Sequence, residues 1–316
     1  MNKLLNIVIT HWTEPYEIGL PGLRILSVQR RVNWDMVDVT IIHDGSDKFP
    51  EEYFCGFPFK VQQVCIPNGG VSAARNYAID HSEAEWIKFC DFDDMFAGVY
   101  SLSRITDAIS ETNNFNTIWF PFIIDIYRGD LLLIHECSQV FIHNKVFRTS
   151  FLREKNIRFN ESLSFSEDFA FISLLELEID PKTFGKIDSN FPIYLYIQRT
   201  DSLGNLPNLQ YQNRCGLFDA HCYVEQQMRK HGDTYHADLM VVRTLTENYY
   251  TIFSAGESID TSDLFSRTVE FYKANKDRLN CVSGEDLDHV IDDTNDQNHS
   301  EITKAGFLQW LRQLER

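Results

Sequence analysis

The chain has 316 residues, 43% of them hydrophobic and 13% aromatic, enough apolar material for a sizeable core. A formal net charge of −17 disfavours sequence-independent binding to nucleic acid and docking on anionic lipid, while leaving room for a local basic pocket. Seven scattered cysteines form no CxxC pair and are odd in number, which points to reduced thiols in a cytoplasmic protein rather than disulfides or zinc.

The opening "MNKLLNIVIT" carries an apolar run too short for a signal segment and reads as a first strand. No later run approaches the ~20 apolar residues of a membrane span, so no integral membrane segment is expected. Strand character follows at 37–43, 61–66, 86–90 and 117–123, with helical composition at 17–31, 73–82 and 101–111 between the strands. Alternation of this kind predicts an α/β fold, a mostly parallel sheet covered by helices. In such sheets ligands sit beyond the carboxyl ends of the strands. Three polar clusters fall there: "THW" at 10–12, "HDGSD" at 43–47 and "CDFDD" at 90–94.

Residues 141–177 read as a strand, a short helix, a turn and a longer helix for which Ser164 or Ser166 is a candidate cap. Strands are expected at 183–188 and 193–199. After the turn-rich "DSLGNLPN" the chain becomes helical, at 217–228, 236–254 and 263–272, so a boundary is placed near 205. In "AGFLQWLRQLER" the residues Phe307, Leu308, Leu311 and Leu314 form a packing stripe at helical spacing.

Two stretches carry chemistry. Asp91 and Asp93 can present two oxygen ligands to a hard cation such as Mg²⁺ or Mn²⁺, which uses few protein carboxylates and fills its shell from phosphates and water. Taken alone, an acidic turn is as readily explained by solvation. In "PNGGVSAARNYAID", Gly69 and Gly70 allow close backbone approach or positive φ, Ser72 is a candidate helix cap, and Arg75 would fall in the first turn. An Arg beside free helix N–H groups suits a diphosphate or a base carbonyl, although a surface Arg after a Gly turn is the plain alternative.

In order, "VTIIHDGSDKF", "GGVSAARNYAID…AEWIKFCDFDD", "HNKVFRTSFLREKNIRFNESLSFSEDFAF" and "YLYIQRTDSLG" resemble the segments of family 2 glycosyltransferases of GT-A fold, across residues 5–204. The resemblance leaves 205–316 uncovered, and His43 departs from it, standing where the family has the first Asp of Asp-Asp-Gly-Ser. It implies a GT-A catalytic domain over 1–204 with a helical C-terminal extension over 205–316 that shapes the acceptor side, packs or self-associates. It also implies a metal-dependent, inverting transfer from a nucleoside-diphosphate sugar, a UDP-sugar in the first place, to an acceptor hydroxyl. Asp44 would contact the base or ribose, Gly70 and Arg75 the donor, Asp91 the ribose or metal, and Asp93 the metal, Mn²⁺ or Mg²⁺. Asp168, with Glu167 beside it, would be the general base.

His143, Lys145 and Arg148 form a basic group that could neutralise the diphosphate, or His143 could join the metal shell, with a packed His and solvated cations as the alternative. Arg199 and Ser202 have the same two readings. Thr10 and Trp12 line the base pocket, or Trp12 belongs to the core. Two other functions stay open: a nucleotidyltransferase, disfavoured because no Lys or Arg precedes Arg24 after the first strand, and a non-catalytic sugar-nucleotide-binding scaffold. The acceptor class (glycan, polymer, lipid carrier or protein), the sugar and any homo-oligomer are not readable.

Overall fold

Leu5–His11, seven successive buried residues of a β-branched and aliphatic run, form β1 at the centre of the main sheet. The computed structural model describes residues 3–112, 114–126, 131–135, 140–187, 191–197, 207–256 and 259–315. The chain divides into two compact units, one of Met1–Ser162 with Glu167–Ser202 and one of Leu163–Ser166 with Leu203–Arg316.

In the first unit β1 is followed by α1 (Tyr16–Ser27), β2 (Val37–Asp44), β3 (Val61–Ile66), α2 (Gly70–His81), β4 (Trp86–Asp91), β5 (Met95–Phe96), α3 (Ser101–Glu111), β6 (Thr117–Trp119), β7 (Phe122–Ile126), β8 (Leu131–His135), β9 (Lys145–Arg148), α4 (Thr149–Glu154), α5 (Glu167–Glu178), β10 (Phe184–Lys186) and β11 (Tyr194–Ile197). A seven-stranded sheet runs β10-β6-β9-β4-β1-β2-β3, parallel except for β9, and β5-β11-β7-β8 make a smaller sheet. The chain winds outward from β1 through β2 to β3, then returns to place β4 on the other side of β1. Strand order therefore reverses between β1 and β4, where Thr10 and Asp91 stand in register. A crevice at the carboxyl ends of the strands is the ligand position such sheets favour.

The core beneath it is built from the inward residues Ile7, Ile9, Val39, Ile41, Trp86 and Cys90, closed by Leu23, Leu26, Leu102 and Ile105 of the covering helices. The second unit is helical: α6 (Pro207–Lys230), α7 (Thr234–Ser254), α8 (Ser262–Leu279), α9 (Gly284–Asn298) and α10 (Lys304–Leu314). Asp233, Ser283 and Thr303 cap α7, α9 and α10 by accepting from backbone N–H groups of the first turn. Phe307, Leu311 and Leu314 of the predicted stripe are buried, with Trp310, against Val241, Leu245 and Ile291.

Several local expectations change. The predicted strand 117–123 is two strands in two sheets, because Pro121 lacks the N–H a continuous ladder needs. Helix α2 begins at Gly70, not at 73, so Ser72 lies inside it with a buried hydroxyl and no hydrogen-bond partner, and Arg75 is a turn further in than expected. Ser166 takes φ 60°, outside the extended region a capping residue adopts. Among the described residues six cysteines are free thiols, and no helix is long and apolar enough to cross a membrane.

Candidate active site

Arg75 organises the crevice. The small residues of "SAARNYAI" let α2 lie close on the sheet, with Ala74, Ala78 and Ile79 buried. Arg75 is left 3% exposed beneath the strand ends. Its Nη2 donates to Asp91 Oδ1 at 3.0 Å, and Nη1 to Glu167 Oε1 at 3.1 Å and Asp168 Oδ1 at 2.6 Å. Burial alone would weaken its hold on the proton. The carboxylates of Asp168, Asp91 and Glu167 outweigh that and raise its pKa. The neighbouring Asn76 clasps the Phe159 backbone in both directions, at 2.9 and 3.0 Å, and Phe159 stacks on Phe171 of α5 and lies 5.2 Å from the Arg75 guanidinium. Thus α2 and the start of α5 are held together by two consecutive residues of one helix.

Asp168 Oδ2 also accepts the Ile142 N–H at 3.3 Å. Loss of hydration raises the Asp168 pKa to about 7; Arg75 opposes the rise, Glu167 and Asp91 add to it, and the Ile142 bond lowers it. Asp91 Oδ1 accepts from Thr10 Oγ1 at 3.3 Å, and the Asp91 N–H donates to Tyr194 Oη at 3.0 Å. Asp94 turns inward, accepting the Ile197 N–H at 2.9 Å. Burial, then Asp91 and Asp93, hold the Asp94 proton well above the usual carboxylate range. One guanidinium thus faces Asp91, Glu167 and Asp168, with Asp93 alongside. Such an excess of negative charge repels a diphosphate unless a cation is present.

Asp44 accepts the N–H groups of Gly69 at 2.7 Å and Gly70 at 2.9 Å, so it ties β2 to the start of α2. Gly70 adopts φ 84°, the left-handed conformation that favours glycine. Trp12 is 46% exposed, which removes the core alternative for it. His143 is buried among the rings of Tyr194, Phe141 and Tyr196, and burial takes its pKa well below the ordinary value. Lys145 Nζ donates to the Phe141 carbonyl and Asn144 Oδ1 and lies 4.1 Å from the Trp119 ring. Arg148 pairs in register with Trp86, at the opposite end of β4 from Asp91, and binds Glu85. Arg199 and Ser202 lie outside the described residues.

Sequence reasoning did not single out Asn76, Tyr194 or Lys88. All three stand inside segments that carry the family resemblance, which is the signal that could have found them. Lys88, fully buried in β4, donates to the His143 carbonyl and stands 4.4 Å from the Tyr194 ring; burial lowers its pKa. It braces the turn that carries Ile142 against the strand that carries Asp91.

Among the described residues no three His, Cys, Asp or Glu side chains are grouped to hold a metal by themselves. Asp91 ends β4 and Asp93 follows in the turn after it, and a hard cation needs only one or two protein carboxylates when a diphosphate supplies other oxygens.

No family model matches the chain. Over 212 residues it is 28% identical to the teichoic acid poly(glycerol phosphate) polymerase of Staphylococcus epidermidis, a match over 61% of this chain and 28% of that protein. The chain therefore spans well under a third of that relative's length. Among solved structures, S. aureus TarS 1–349 in complex with UDP-GlcNAc superposes with TM-score 0.60 at 17% identity, over 91% of this chain and 84% of that one. The mannosyltransferase PcManGT of Pyrobaculum calidifontis, in complex with GDP-Man and Mn²⁺, does so with TM-score 0.51 at 9% identity, over 92% and 86%. The chain is thus similar in sequence to part of a teichoic acid polymerase, and it shares its fold with the solved structures of TarS and the mannosyltransferase PcManGT.

Proposed function

We propose that the chain transfers a sugar from a nucleoside-diphosphate sugar to an acceptor hydroxyl in one inverting displacement, with Asp168 as general base. The observation that carries this reading is the buried Arg75, which gathers Asp91 of the strand end and Glu167 and Asp168 of α5 in one crevice. Asp168 Oδ1 is anchored on Arg75, while Oδ2 holds only the longer contact to the Ile142 N–H. That second oxygen takes the acceptor proton. The acceptor oxygen then bonds to the anomeric carbon as the bond to the diphosphate oxygen breaks on the opposite face, which inverts the centre. A group that titrates near about 7 suits such a base at neutral pH.

Asp93 and Asp91 would hold Mn²⁺ or Mg²⁺, which when bound neutralises charge on the diphosphate. Thr10 and Tyr194 orient Asp91 for that task. Asp44 shapes the nucleotide end through the Gly69–Gly70 backbone rather than by offering an open carboxylate. A UDP-sugar is the first donor to test, because TarS, which shares the fold, binds UDP-GlcNAc. A teichoic-acid-like polymer is the first acceptor class, from the name of the curated relative. Residues 205–316 shape the acceptor side or mediate self-association, and the setting is cytoplasmic. The test is UDP release from a UDP-sugar panel with Mn²⁺, comparing wild type with Asp168→Asn. Turnover by wild type and its loss in the variant support the reading; unchanged turnover in Asp168→Asn means another base.

A further inference from the structure

β1 and β2 end side by side on His11 and His43, which stand in register and are both buried. Their Nδ1 atoms are 2.9 Å apart, a contact that needs a proton between them. The outer end of each ring is fixed independently. His43 Nε2 lies 3.0 Å from Gln63 Oε1. That amide cannot be turned over, since Oε1 accepts the Phe49 N–H at 2.9 Å and Nε2 donates to the Phe49 carbonyl at 2.9 Å. An amide oxygen only accepts, so His43 Nε2 donates. His11 Nε2 lies 2.8 Å from the Glu14 carbonyl oxygen and donates for the same reason.

Two neutral rings protonated at Nε2 would face each other with two lone pairs. The short contact calls for a third proton, and the pair then carries one positive charge. Burial, opposed by the bond to Gln63, lowers the His43 pKa to about 4, so His43 is the accepting partner.

The surroundings suit a single cation. The Glu14 carboxylate lies 3.9 Å from His11 Nε2, and the Ser46 hydroxyl 3.0 Å from Nδ1. Asp47 and Lys48 act on His43 with opposite signs from the turn after β2, and Glu51 reaches Gln63 at 3.4 Å. Phe49 and Phe92 cover the His11 ring, the latter between Asp91 and Asp93.

We propose that His11 and His43 share one proton as a single buried cation, and that this cation positions the turns after β1 and β2 that frame the nucleotide end of the donor site. The proposal rests on the sugar-nucleotide reading above. His43, the departure from the family pattern, thereby keeps a positioning role through its neighbour on β1. Raising the pH removes the shared proton and leaves two lone pairs in contact. The bridge opens, and the turns carrying Trp12 and Ser46 lose their common anchor. Donor affinity then falls while turnover at saturating donor does not, opposite in sign to the activation expected from Asp168.

The test joins proton NMR with calorimetric titration of UDP and Mn²⁺ from about pH 6 to about pH 9, the range in which imidazoles exchange charge. Wild type should give a strongly downfield ring N–H resonance that is absent in His11→Gln and His43→Gln. Its UDP affinity should fall about tenfold across the range, and theirs should be weak and flat. Gln63→Leu retains both rings and frees the His43 tautomer, so a neutral pair can form without the third proton. It should bind UDP with no pH dependence, which a merely structural role would not produce, and it carries the test if the histidine variants fail to fold. Absence of the resonance together with intact UDP binding overturns the shared proton and leaves the donor reading standing. The resonance without UDP binding at any pH overturns the positioning role and the donor reading together.

Discussion

Arg75 Nη1 and Asp168 Oδ1 lie 2.6 Å apart beneath the crevice between β1 and β4, joining a helix that follows β3 to the first turn of α5. The pair is both a scaffold and a chemical device. It fixes one oxygen of Asp168 and lowers a pKa that burial raises further than any other cause. Removing Arg75 leaves Asp91, Glu167 and Asp168 in mutual repulsion. Arg75→Met should abolish turnover and destabilise the first unit by about 3–5 kcal/mol, the cost of breaking a buried ion network from one side. Chemical denaturation and donor hydrolysis measure the two effects; a stable, active Arg75→Met would show that the network is dispensable.

Asp168 binds its proton more tightly in the fold, at about 7, than in the unfolded chain, at ~3.9. Its contribution to stability is therefore full below about pH 4 and is lost as pH rises through about 7. Under the proposed mechanism activity needs the ionised base and should rise through the same upper range. A rate profile with its rising limb near neutrality, together with a flatter stability profile for Asp168→Asn, is the expected result.

Asp44 binds two backbone N–H groups at the start of α2. Asp44→Ala leaves both without their acceptor and should cost about 1–3 kcal/mol in denaturant unfolding. The donor KM should rise more than kcat falls, because the proposed reading puts the Gly69–Gly70 backbone at the donor end rather than at the base.

In the second unit, Trp310 is buried against Tyr249 and Phe307, with ring centroids 5.0 and 6.0 Å away. Trp310→Ala should destabilise the helical unit by about 3–5 kcal/mol. Because the unit has its own core, the loss should appear as a separate or earlier unfolding transition, read by calorimetry.

Much of this arrangement was legible from local pattern. The β-branched runs ending at Thr10, Asp44 and Asp91, the double glycine and the "ARN" helix are short-range signals, and they fall where the sheet needs them. Arg75 stood out in the sequence beside the double glycine, but not as the partner of carboxylates 16, 92 and 93 positions away, because such pairings leave no periodic trace. The break between β6 and β7 was available in Pro121, whose effect on the ladder outweighs the strand character of its neighbours. His43 was visible as a substitution. Its partner His11 was not, since only the strand register brings the two rings together. The start of α2 was misplaced because Ser72 is a good capping residue, and the left-handed Gly70 took over the turn instead.

The most direct measurement is UDP release from a panel of UDP-sugars by the intact chain with Mn²⁺, wild type against Asp93→Asn. One donor hydrolysed by wild type and spared by a variant that retains its thermal stability would confirm sugar-nucleotide chemistry at the Asp91–Asp93 turn. A panel without hydrolysis and without calorimetric binding of any donor would contradict it.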